Sequence, residues 1–97
     1  MQSYILSQKS KEDIDAIFDF GFQKFGKEQA LNYLNELRSH FELLLKNPEI
    51  GKKREEIKKV LYGFPFISHI IFYRILKDQI RIVRVLNGSR DIRKFLE

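Results

Sequence analysis

Ninety-seven residues, 43% hydrophobic and 13% aromatic, suffice for one core in one domain spanning 1–97, and leave no room for a second domain or a large cofactor cavity. The absence of cysteine excludes disulfides, thiolate catalysis and thiolate metal sites together, and fits a reducing cytosol. Charge is uneven: residues 1–50 carry 6 Lys/Arg against 8 Asp/Glu (net −2) and residues 51–97 carry 12 against 5 (net +7), so the basic half suits an acidic partner, nucleic acid or an acidic protein segment, unless it serves solubility alone.

The opening, MQSYILSQKSKED, turns polar after three apolar residues, which fits neither a signal peptide nor a membrane anchor. No apolar run approaches the roughly 20 residues that span a bilayer, so a soluble cytoplasmic protein is expected. Ser3–Leu6 reads as a first strand. Ser10-Lys11-Glu12-Asp13 matches a capping box and places a helix start there or slightly earlier. Ile14, Ile17, Phe18, Phe22 and Phe25 follow with helical spacing, Gly21 lies on the same face, and Gly26 suits the end of the helix. Ala30, Leu34, Leu37, Phe41 and Leu44 form the stripe of a second helix, ending near Lys46 because Pro48 pushes its predecessor out of the α region. Together the two form an αα-hairpin that needs a surface to pack on.

Lys58–Phe66 reads as a strand kinked at Gly63-Phe64-Pro65, with the proline at an edge or beyond the paired region. Ser68–Leu76 and Gln79–Leu86 are stronger strands, and the short turn at Lys77-Asp78 makes them an antiparallel hairpin. Ile70, Phe72 and Leu76 share one face, with Ile71, Tyr73 and Ile75 on the other. Strict alternation puts Ile80, Ile82 and Leu86 opposite Arg81, Val83 and Val85. Two partly apolar faces mark central strands. Gly88 breaks the sheet, and Ser89 is placed to cap a short last helix through Leu96. The order β-α-α-β-β-β-(α) argues for α+β, a small antiparallel sheet packed against an N-terminal αα-hairpin.

Read in order, YILSQKSKEDIDAI, FGKEQALNYLNEL, NPEIGKKREEI and HIIFYRI followed by IRIVRVLNGSRDI resemble the RelE/ParE superfamily of bacterial toxins from type II toxin–antitoxin systems. The resemblance covers nearly the whole chain and is closer to the ParE branch. It implies a sheet carrying a helical hairpin, a DNA gyrase target, and a cognate antitoxin that wraps the toxin. It also implies that DNA is reached indirectly, through the antitoxin. RelE-like relatives instead cut messenger RNA in the ribosome.

RNA cleavage needs a proton acceptor, cations for the phosphorane and an acid for the leaving oxygen. Arg54, Arg74, Arg81, Arg84 and Arg90 are candidate cations, but GSRDIRKFL ends in Phe95-Leu96 where the nuclease-like pattern places a tyrosine. A hydrocarbon exchanges no proton, and arginine is a poor base. His40 and His69 read as structural or surface histidines, and two separated histidines make no metal site. Tyr62 and Tyr73 read as core residues with satisfied hydroxyls, and Glu55 and Glu56 as solvated loop charges. Within IVRVL, Arg84 needs a counter-ion, and Asp91 is the expected one. Arg54, Arg81, Arg90, Arg93 and Lys94 are left as partner-binding candidates. Asn87 stands where many ParE-like sequences carry histidine, which bears on toxicity. The expected reading is a ParE-like toxin, not an enzyme, with no cofactor or metal. The alternatives are a RelE-like endoribonuclease and a non-toxic antitoxin-binding member.

Overall fold

The computed structural model describes residues 1–96; Glu97, the last residue of the expected domain, lies outside the described residues. Strand β1 (Ser3–Leu6) runs directly into helix α1 (Gln8–Phe25). Ser7 caps the helix, its hydroxyl accepting from the Ser10 N–H at 3.0 Å. The helix thus starts slightly ahead of the capping pattern. Ser10 is fully buried, and its hydroxyl donates to the Ser7 carbonyl at 2.8 Å. Gly26 ends the helix at φ +91°, a conformation that costs any residue with a Cβ. Its N–H donates to the Phe22 carbonyl, and its own carbonyl accepts from Ala30, which opens α2 (Lys27–Lys46). Between the helices, a Cβ added to Gly21 would meet that of Ala30 at 3.6 Å, an ordinary contact.

Strands β2 (Lys52–Lys53), β3 (Tyr62–Phe66), β4 (His69–Ile75) and β5 (Gln79–Asn87) form an antiparallel run, and the full sheet order is β1-β5-β4-β3-β2. The α+β class and the central position of β4 and β5 agree with the sequence reading. The antiparallel expectation holds from β2 to β5, and β1 adds a parallel edge to β5, from Ser3 opposite Gln79 to Leu6 opposite Ile82. A four-residue strand carries no mark of its direction, which is set by the path of the chain through the hairpin. Pro65 is exposed and lies beyond the two residues of β3 that β2 covers, so its missing N–H breaks no ladder.

Both faces of the sheet are packed. The αα-hairpin covers one, where Leu37, Phe41 and Leu44 meet Tyr62, Tyr73 and Ile82. On the other, Leu61, Phe72, Leu86 and Leu96 form a smaller core under the 54–61 segment and α3 (Ile92–Leu96). Each fully buried apolar side chain here contributes about 1.5–3 kcal/mol. Tyr73, wholly buried, donates to the Pro48 carbonyl at 2.7 Å and accepts from the Gly51 N–H at 3.0 Å, anchoring the loop after α2.

The faces of β5 change partway along. Tyr73 is opposite Ile82 but Phe72 is opposite Arg84, so Val83 is an extra residue and the ladder bulges there. Ile80, Ile82 and Val85 consequently face the helices, while Val83 and Leu86 face α3. Strict alternation therefore assigned Val85 and Leu86 to the wrong faces.

Candidate functional site

Where β5 passes the end of β1, α1 lies along its free edge. There Asp13 accepts the Val85 N–H at 3.0 Å and takes Arg84 through two bonds, Nε to Oδ2 and Nη2 to Oδ1, each 2.8 Å. The third guanidinium nitrogen, Nη1, donates to the Phe95 carbonyl at 2.8 Å. Arg84 is held above its ordinary pKa chiefly by the Asp13 hydrogen bonds, against an opposing desolvation. The expected Arg84–Asp91 pair is corrected here: the counter-ion is Asp13, and Asp91 is exposed at the start of α3. One signal was present in the sequence. Asp13, Ile17 and Gly21 share a helix face, which sets a carboxylate on the apolar stripe.

Beyond this pair opens a groove of about 520 Å³ between the αα-hairpin and the ends of β4 and β5. Ala16, Ile17, Phe20, Phe25 and Ala30 supply its apolar lining. Within that lining Phe20 and Phe25 are 62% and 60% exposed. The polar rim includes Tyr33, His69, Asn87 and Arg90. The Tyr33 hydroxyl lies 2.6 Å from His69 Nδ1. Burial, and then the nearby Arg90 charge, lower the His69 pKa below its ordinary 6.5 and so favour the neutral ring. Burial likewise raises the Tyr33 pKa. Asn87 Oδ1 accepts from both the N–H and the hydroxyl of Ser89, at 2.9 and 2.6 Å. Ser89 therefore shapes the turn after β5, and α3 begins three residues later, at Ile92.

The other expected contact residues lie mainly on the opposite side of the sheet. Arg54 closes its own loop, with Nε on Glu56 at 2.8 Å and its N–H on the Leu61 carbonyl. Arg90 and Arg84 lie over the Phe95 ring, at 5.2 and 5.7 Å from its centre. Arg93 and Lys94 are exposed on α3, and Arg81 is exposed on β5 directly across from Arg74. The fold thus brings Arg90 to Arg84 and Arg81 to Arg74, while Arg54 stays in its loop. Asp13 and Arg74 were absent from the expected contact set, as was the Tyr33–His69 pair. Among the described residues no cluster of three or more His, Asp or Glu has metal-binding geometry, and no helix is long and apolar enough to cross a membrane.

The family model described as "ParE toxin of type II toxin-antitoxin system, parDE" matches residues 4–92. The chain belongs to the ParE toxin family. It is 33% identical to Toxin ParE1 of Caulobacter vibrioides over 96 residues, 99% of each chain. It is 32% identical to Toxin ParE1 of Mycobacterium tuberculosis over 90 residues, 92% of each. A chain from the structure titled "Chromosomal ParDE TA system from P. aeruginosa" shares the fold, with a TM-score of 0.77 at 21% identity, over 90% of this chain and 96% of that one. In this ParE-family chain the bidentate Arg84–Asp13 pair ties α1 to the sheet, as the Tyr33–His69 contact ties α2 to it.

Proposed function

We propose that this ParE-family chain, a single toxin domain over 1–97, acts in the cytoplasm by binding DNA gyrase and disturbing its DNA-cleavage cycle, and that a cognate antitoxin neutralises it. Catalysis by the chain itself and a cofactor have no part in this reading. The observation that carries it is the state of Phe95: its ring lies against Arg84 and Arg90 in the cationic face, so the C-terminal side chain among these arginines is a hydrocarbon platform. RNA cleavage would need a proton donor or acceptor there. The face is suited to docking, and Arg81, Arg90, Arg93 and Lys94 are its contact candidates, with Arg54 at its margin. The groove beside Phe20 and Phe25 suits an amphipathic antitoxin helix, with Tyr33, His69 and Arg90 on its polar rim. DNA would be reached through the antitoxin as well as through the target.

The deciding experiment adds purified chain to gyrase and supercoiled plasmid. Trapped gyrase–DNA cleavage complexes, suppressed by the antitoxin, are expected. Normal supercoiling with no trapped cleavage at saturating chain would sink the reading. Cuts at the vacant A site of stalled ribosomes would replace it with ribonuclease action. Normal growth on expression without antitoxin would replace it with a non-toxic role.

A further inference from the structure

A second hollow, of about 310 Å³, lies on the α3 side of the sheet, at the junction of β1 with α1. Lys9, Lys58, Arg81 and Arg84 line it, and no carboxylate among the described residues does. Arg84 is already neutralised by Asp13, and Lys58 Nζ donates to the Leu96 carbonyl at 3.3 Å. That leaves Lys9, Lys58 and Arg81 without an ion pair among the described residues. Arg81 has Arg74 as its direct cross-strand neighbour. Like charges directly opposite destabilise a sheet. The Nε of Arg74 is buried with no hydrogen-bond partner among the described residues, whereas such groups are nearly always bonded. This chain does pair its other half-buried arginines: Arg84 with Asp13 and Arg54 with Glu56.

We propose that Lys9, Lys58 and Arg81, backed by Arg74, form a phosphate site that binds the backbone of nucleic acid directly. Guanidinium groups match phosphate oxygens in pairs, and ammonium groups add point charge. The volume lies at the bottom of the range for ligand pockets, enough for phosphate and too small to enclose a nucleotide. Bases find no platform in it. Phe95 is the aromatic side chain in its lining, and Arg84 and Arg90 already lie over that ring. Contact is therefore with the backbone and independent of sequence. An acidic peptide fits less well, because unbroken positive charge matches a continuous polyanion better than scattered carboxylates. The inference concerns the isolated chain and requires neither gyrase nor antitoxin.

Fluorescence anisotropy with a labelled mixed-sequence DNA duplex, between about 50 and 200 mM salt, tests it. The expected result is binding whose log K falls linearly with log salt. Arg81→Gln and Lys58→Gln should each reduce the slope by about 1. Arg38→Gln, on the exposed face of α2, is expected to leave the slope unchanged, and Arg81→Lys to preserve it with weaker binding. Circular dichroism checks that each variant is folded. No binding at the lowest salt would overturn the site, as would equal loss from Arg38→Gln, which marks diffuse charge. Tighter binding of a polyglutamate peptide than of the duplex would overturn it in favour of an acidic protein partner.

Discussion

Arg84 and Asp13 are nearly buried, with side chains 12% and 13% exposed, and each satisfies the other through two 2.8 Å bonds. Removing one partner strands the other charge in a low-dielectric site. Arg84→Ala and Asp13→Ala are each expected to cost about 3 kcal/mol in urea denaturation. Asp91→Ala, on the exposed approach to α3, should stay within about 0.5 kcal/mol. A larger loss from Asp91→Ala than from Asp13→Ala would refute the pairing. The need for a partner could be read from Arg84 itself, since IVRVL leaves no room for a free charge. Its identity had one sign, the carboxylate on the apolar face of α1, but Asp13 lies 71 residues away while Asp91 is near in sequence.

At the scale of elements, the helices were more legible than the strands. The stripe and Pro48 locate α2 because helical periodicity repeats over many turns. Strand β5 shows why alternation is weaker as a guide. One extra residue at Val83 reverses the facing of everything after it, and nothing local in RIVRVLN marks the bulge. The turn between β3 and β4 carries a cost of its own. Ile67, β-branched and 68% exposed, sits at φ +53° in the left-handed region. Ile67→Gly is expected to raise stability by about 1 kcal/mol, read as an upward shift in the thermal midpoint. A lowered midpoint would mean that the exposed side chain contributes more than its backbone costs.

For the molecule as a whole, acid stability is linked to the rim of the groove. His69 is held below its ordinary pKa of 6.5, so as pH falls past that value the unfolded chain takes up the proton before the native one. Stability should therefore decline from pH 7 to pH 5, and part of that decline should vanish in His69→Gln, measured by urea denaturation at each pH. Above the unfolded value the ring is neutral in both states and adds no slope. An identical pH profile for the variant would remove His69 from the account. From its order of residues alone this chain determined its two long helices, its central hairpin, its basic half and its family resemblance, because those depend on periodicity, turns and motifs close together in the chain. Only the tertiary structure decided the parallel docking of β1, the counter-ion of Arg84, the groove that α1 leaves open and the meeting of Arg81 with Arg74. Each of these depends on segments far apart in sequence being placed side by side, and no local pattern records which distant residue will be the neighbour.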